Sequence, residues 1–205
     1  MRADRDVFLA ANPVSRETEA RLERYAGLLT EWNQGLSLVS DSTLGEIWTR
    51  HFLDSAQLLP LFPDPRASIV DMGTGAGFPG LVLAILGHRE VHLVEHNIQK
   101  VKFLQAVIDA LDLKVTLHAK KTESVKPFIA GAITARGLKP LNILINLGQR
   151  FLGRESVCIF PKGRRAEDEL RDAQRHWRMH VERFPSITSP ESTIFRLSRV
   201  AELST

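Results

Sequence analysis

Ten consecutive residues, Asp71-Met72-Gly73-Thr74-Gly75-Ala76-Gly77-Phe78-Pro79-Gly80, have the types and spacing to hold a small ligand. Glycines let a backbone turn sharply and approach a ligand without a Cβ clash. Their spacing selects among ligands. A dinucleotide site needs Gly-x-Gly-x-x-Gly; here Gly73 and Gly75 fit, but Phe78 stands at the third place and the pattern is Gly-x-Gly-x-Gly. No Gly-Lys-Ser/Thr follows, which excludes a P-loop. Asp71 would oppose a pyrophosphate and suits a cationic ligand. S-adenosylmethionine carries a sulfonium and an ammonium group. Glu95, about 20 residues further on, is placed to accept both ribose hydroxyl hydrogens. Asp71, Gly73, Gly75 and Glu95 are therefore candidate cofactor residues.

The elements that would position them follow from periodicity. From Arg16 to Asn33, Leu22, Tyr25, Ala26, Leu29 and Trp32 recur at helical spacing. A second helix is expected from about Leu44 to Leu59, with Ile47, Phe52, Leu58 and Leu59 inward and Thr43/Glu46 as a capping box. Pro60, Pro63 and Pro65 end it, so 1–65 reads as a helical N-terminal cap and 66–205 as the cofactor-binding core. Beyond Pro65, strands are expected at 68–72, 91–95, 115–118, 132–134 and 156–160. Helices alternate with them at 80–86, 98–111 (capped by Asn97), 141–151 and 166–177. Two last strands, near 180–184 and 193–198, have no helix between them and suit an antiparallel hairpin at one edge. This alternation predicts an α/β fold, a seven-stranded, largely parallel sheet with helices on both faces, whose ligands bind beyond the carboxyl ends of the strands.

Composition sets bounds. The chain has 205 residues, 43% of them hydrophobic, enough to build a core. One cysteine, Cys158, excludes an internal disulfide or a cysteine-based zinc cluster, and its apolar strand makes it core packing. No apolar run approaches the roughly 18–20 residues of a membrane span, and the charged opening residues do not read as a secretory signal. A soluble, cytoplasmic, monomeric protein without metal is expected. A net charge of +3 permits a nucleic-acid partner without demanding one.

Other candidates stand at the strand ends. Arg136, after the fourth strand, is placed to pair with a cofactor carboxylate or to present two donors to a substrate oxygen or a phosphate. Lys162, Arg164 and Arg165, past the fifth, are candidate RNA contacts. Lys100, Lys102, Lys120, Lys121, Lys126 and Lys139 extend the basic rim. His51 and Asp54 are expected to form a structural pair rather than a catalytic one. No Asn/Asp-Pro-Pro-aromatic motif for exocyclic amines and no Pro-Cys nucleophile is present.

The turn resembles the Asp-x-Gly-Thr-Gly-x-Gly-x-Pro-Gly motif of the bacterial small-subunit ribosomal RNA guanine-N7 methyltransferases, the glucose-inhibited division protein B family. Trp32-Asn33 with Ser37-Leu38-Val39-Ser40, Arg50-His51-Phe52-Leu53-Asp54-Ser55, and Lys100-Val101-Lys102-Phe103-Leu104 resemble three further segments of that family. The likeness runs from about Arg21 to Arg199. It implies a class I S-adenosylmethionine-methyltransferase (Rossmann-like) fold, 16S ribosomal RNA in the small subunit as partner, and methyl transfer to N7 of guanine 527. By position it implies cofactor contacts at Gly73, Phe78, Thr122, Glu123 and Arg136, and it implies guanine O6 as the substrate oxygen open to Arg136. The chain departs from the family at Ala135-Arg136-Gly137, where Ser-Arg-Ala is usual, and at Pro161-Lys162-Gly163, where Leu-Lys-Gly is usual. A small-molecule methyltransferase on the same fold, a non-catalytic ribosome-assembly or nucleotide-binding module and, more remotely, a dinucleotide oxidoreductase remain open on the residues alone.

Overall fold

The computed structural model describes residues 2–64, 66–88 and 90–203. Pro65, expected to help end the N-terminal helices, lies outside them. Eight α-helices and seven strands follow in the described residues: α1 (Arg2–Ala11), α2 (Arg16–Asn33), α3 (Asp41–Leu44), α4 (Asp54–Ala56), β1 (Ile69–Met72), α5 (Gly80–Ile85), β2 (Val91–Glu95), α6 (Ile98–Leu111), β3 (Val115–Ala119), β4 (Ala132–Thr134), α7 (Leu141–Gly148), β5 (Val157–Lys162), α8 (Ala166–Ala173), β6 (Trp177–Pro185) and β7 (Thr193–Glu202). The sheet order is β3-β2-β1-β4-β5-β7-β6. The first five strands run parallel, and β7 enters antiparallel between β5 and β6. No helix of the described residues is long and apolar enough to cross a membrane.

Strand β1 is buried along its whole length, as a central parallel strand must be. Its alternate residues feed opposite faces. Val70 and Met72 pack with Ile133, Cys158, Phe160 and the apolar sides of α7 and α8. Ile69 packs with Leu58, Leu83, Ile159 and Ile194, while β2's Val91 and Leu93 meet α2, α5 and α6. Asn97 caps α6, accepting from the N–H groups of Gln99 and Lys100, and the helix ends at Asp112 in a left-handed conformation, φ 48°.

The N-terminal region differs from expectation. The expected 44–59 helix is broken into α3, a π-helical segment (Trp48–Leu53), α4 and a 3₁₀ turn (Leu59–Leu61). Thr43 forms no capping box; its hydroxyl donates to the Ser40 carbonyl oxygen. The cap comes from α1, a helix the sequence reading passed over. Asp4 accepts from the N–H groups of Trp48 at 2.8 Å and Thr49 at 3.0 Å. Phe8, fully buried, packs edge-on against Trp48 and Phe52. Phe52 in turn stacks on Tyr25, and Tyr25 on Phe78 of the glycine turn. One aromatic column thus ties the cap to the ligand turn.

Two boundaries also shift at the other end. Helix α8 stops at Ala173, and Trp177, expected as its last residue, opens β6, pairing with Glu202 while its indole N–H donates to Asn142. Strand β5 runs on to Lys162, so Lys162 belongs to the strand and does not lie beyond it.

Truncating Phe52 to Ala removes the centre of the aromatic column. The expected loss is roughly 3–5 kcal/mol of unfolding free energy, against about 1 kcal/mol for Asn97→Ala; urea unfolding of both variants checks the ranking.

Candidate active site

Parallel pairing brings the site residues to one edge. Asp71, Leu93, Thr134 and Ile159 lie in one row across the sheet. Two residues further along each strand come Gly73, Glu95, Arg136 and Pro161. Residues from the first three of these strand ends, with Leu38 and Val39 from the cap, line a cleft of about 360 Å³. That lies within the size range of ligand pockets.

The turn needs its glycines for different reasons. Gly73, Gly75 and Gly77 all have φ between 62° and 98°, where a Cβ is strained. A Cβ on Gly73 would strike Leu138, and one on Gly80 would strike Leu93 and Asp71. On Gly75 it would meet only the Gly73 carbonyl oxygen, at 3.9 Å, so the space above Gly75 is open towards the cleft.

The two acids act first on the backbone. Asp71 is fully buried and is not on the cleft wall. Its Oδ2 accepts from Gly80 N–H at 2.8 Å and from the Thr74 hydroxyl at 2.5 Å, folding the turn back on β1. Oδ1 is buried without a partner among the described residues. Burial pushes the Asp71 carboxyl up to about 6, against the opposing hydrogen bonds from Thr74 and Gly80. Glu95 does line the cleft. It accepts from the N–H groups of Gly75 at 3.1 Å and of His96 and Asn97, each at 2.8 Å. Three of a carboxylate's roughly four lone-pair directions are so taken, leaving less capacity for ribose hydroxyls than the sequence suggested.

Arg136 is the hub. Its Nη1 donates to Asp54 Oδ2 at 3.0 Å and to the Arg50 carbonyl oxygen at 3.3 Å, and its Nη2 donates to His51 Nδ1 at 3.0 Å. The guanidinium lies 4.8 Å from the Phe78 ring centre, and His51 stacks on the same ring at 4.8 Å. His51 and Asp54, expected to pair with each other, are joined through Arg136 instead. Since a guanidinium only donates, His51 Nδ1 accepts, and Nε2 carries the proton it donates to Thr43 Oγ1 at 3.0 Å. Burial, then the cations of Arg136 and Arg50, lower the His51 pKa to about 3, so it stays neutral. Asp54 Oδ1 also accepts from Thr188 at 2.6 Å, anchoring the β6–β7 connection.

Other expected site residues fare unequally. Gly73, Gly75, Phe78, Glu95 and Arg136 converge on the cleft. Thr122 and Glu123 are not among its lining residues; they form a 3₁₀ turn whose carbonyls accept from Arg150. Lys162 is buried and bound to Glu169 at 2.6 Å rather than presented as a free cation. Arg164 is exposed and pairs with Glu191, and Arg165 is exposed beside α8. The sequence reading missed Asn33 as the shaper of the cleft's Leu38–Val39 wall: its Oδ1 accepts from both of their N–H groups. It also missed Glu169. Cys158, its thiol pushed up to about 12 by burial, is inert core. A groove of about 590 Å³ between α1 and α2 shares no residue with the cleft.

A family profile described as rRNA small subunit methyltransferase G matches residues 18–194. A ribosomal RNA small subunit methyltransferase G of Rhodospirillum centenum is 49% identical over 194 residues, covering 95% of this chain and 90% of the relative. That of Rhodospirillum rubrum is 44% identical, covering 95% and 97%. Among solved structures, a TehB-like SAM-dependent methyltransferase of Corynebacterium glutamicum superposes with a TM-score of 0.56 at 15% identity, covering 71% of this chain and 86% of that one. MtNAS in complex with S-adenosylmethionine superposes with a TM-score of 0.60 at 17% identity, covering 88% and 75%. These two likenesses bear on the fold, which is that of the S-adenosylmethionine-dependent methyltransferases.

The neutral His51 gives a pH test. Its unfolded form takes up a proton near pH 6.5 and the folded form only near 3, so this site costs stability as pH falls through that interval, by up to about 1.4 kcal/mol per pH unit. Asp71 works oppositely, since its folded form holds a proton up to about pH 6. His51→Gln removes the first effect alone. The stability gap between parent and variant is expected to widen in the parent's favour from pH 4.5 to 6.5 in urea titrations; a pH-independent gap would contradict it.

Proposed function

The chain belongs to the rRNA small subunit methyltransferase G family, and from that premise we propose that it transfers the methyl group of S-adenosylmethionine to N7 of a guanine, position 527, in 16S ribosomal RNA. The enzyme is an S-adenosylmethionine-dependent methyltransferase. The observation that carries the finer reading is the Arg136 wall, which separates two clefts. One is the cofactor cleft; the other, lined by Asp54, Arg136, Leu138, Lys162, Glu169 and Ser192, opens beside it.

The donor set fits the cofactor. The backbone open at Gly75 leaves room for it, and the Glu95 carboxylate and the unpartnered, buried Asp71 Oδ1 behind the turn favour a ligand bearing positive charge. Gly73, Gly75, Phe78, Glu95 and Arg136 are its proposed contacts. Thr122 and Glu123 join them on the family likeness alone. Asp71 is proposed to act through the turn and its charge. When bound, the cofactor supplies an electrophilic methyl on sulfur. N7 of guanine already carries an in-plane lone pair, so no base has to remove a proton, and the protein's task is to align the partners and exclude water. Arg136 does this from a fixed position, with its Nε–H and one Nη2 hydrogen left without a protein partner among the described residues.

The helices before β1 serve as a cap over the cofactor, and the core after them carries transfer. Exposed Arg164, Arg165, Lys139, Lys120 and Lys121 are the proposed phosphate contacts; Lys162 is removed from that group by its burial. The protein works as a monomer in the cytoplasm, where ribosomal RNA is processed.

Mass-spectrometric mapping of 16S RNA is expected to lose the methyl at guanine 527, and there alone, when the protein is absent; an unchanged site would sink the reading. Gly75→Val fills the open space and strains φ. It is expected to weaken cofactor binding at least about tenfold in a direct titration.

A further inference from the structure

The second cleft, about 460 Å³, shares Arg136, Gly137 and Leu138 with the cofactor cleft, and its wall carries a buried ion pair. Lys162, 9% exposed, forms an ion pair with Glu169 Oε2 at 2.6 Å and donates to the Lys139 carbonyl oxygen at 2.8 Å. The Leu141 N–H donates to the same Oε2 at 2.9 Å. An ammonium has three protons and a carboxylate two accepting oxygens. Among the described residues, at least one Lys162 proton and Glu169 Oε1 are left without a protein partner, and both residues line the cleft. A half-buried pair with a donor and an acceptor to spare, both facing an open cleft, can be completed by a ligand that offers the complementary groups.

We propose that this pair reads the Watson–Crick edge of the acceptor guanine, with Lys162 donating to O6 and Glu169 Oε1 accepting from N1–H and the 2-amino group. The inference rests on the guanine-N7 reading above. The order of groups agrees. Around the purine, N7 is followed by O6, then N1, then the 2-amino group. The contacts run in the same order: the shared Arg136–Leu138 wall leads to Lys139, whose carbonyl oxygen holds Lys162, and Lys162 pairs with Glu169. With N7 against the shared wall, O6 meets the ammonium and N1–H the carboxylate. Adenine would present an amino group to the ammonium and a lone pair to the carboxylate, a mismatch at both places.

The pair also serves the chemistry. The N7 lone pair forms the new bond to carbon, the old carbon–sulfur bond breaks onto sulfur, and no proton leaves, so the purine becomes cationic. The Glu169 carboxylate favours that new charge and the Lys162 ammonium opposes it, so the pair acts on recognition and alignment of the base.

The test uses the full chain and reconstituted small-subunit particles whose target position is guanosine or inosine, which lacks only the 2-amino group. Wild-type kcat/KM is expected to fall about tenfold on inosine. In Glu169→Gln the amide oxygen remains with Leu141 and Lys162, and its NH₂ faces N1–H. The guanosine rate should fall more than about tenfold and the guanosine-to-inosine ratio should shrink towards one. Cofactor affinity by titration should stay near wild type, whereas Tm should fall because Lys162 loses its counter-charge. Equal wild-type rates on both bases would overturn the inference without any variant having to fold, as would a variant that keeps the wild-type ratio. Transfer to no RNA at all by the wild-type chain would instead overturn the guanine-methylation reading and, with it, this one.

Discussion

The guanidinium of Arg136 holds the site together. A partly buried charge must be matched by hydrogen bonds, and three of its five N–H donors are met by Asp54, His51 and the Arg50 carbonyl oxygen from a single stretch of cap. The ring of Phe78 lies under both the guanidinium and His51. Cap, glycine turn and β4 therefore share one cluster. A neutral His51 is part of that arrangement, because a protonated imidazole would present a second donor to an arginine that can only donate.

Around this cluster the sheet performs a simple geometric task. Parallel strands in register deliver residues of equal offset to the same edge, so Gly73, Glu95 and Arg136 arrive side by side from strands far apart in sequence. The carboxylates then fix the loops that leave those strands. Asp71 holds the turn to the start of α5, and Glu95 holds the same turn to the start of α6. Asp54 links Arg136 to the β6–β7 connection through Thr188. Acids that look like ligand contacts in isolation are largely committed to shaping the cleft.

The family departures have local physical readings. Gly137 has φ 63° with open space about it, a conformation glycine adopts without strain where the usual alanine would pay for it. Pro161 stands within β5 opposite Ile194 of β7 and offers no N–H to the ladder. The adjacent Lys162 still reaches Glu169 and Lys139, so the cation of that motif keeps its place despite the change beside it.

What the sequence by itself determined is whatever depends on neighbours a few residues away. Helix α2 and helix α6 with its Asn97 cap, β2 and β4, and the glycine turn all follow from periodicity and backbone sterics acting locally, and they stand where expected. So does the seven-stranded order of alternating elements. Only the tertiary structure decided features whose partners come from afar. The 48–53 segment is π-helical and capped by Asp4, some forty residues earlier. Trp177 leaves a run of helix-favouring charged residues because β7 pairs with it. His51 turned out to serve Arg136 rather than Asp54, and Lys162 to be half of a buried pair rather than a rim cation. A side chain's hydrogen-bonding partner is set by which elements pack against it, and a sequence carries no local signal of that packing.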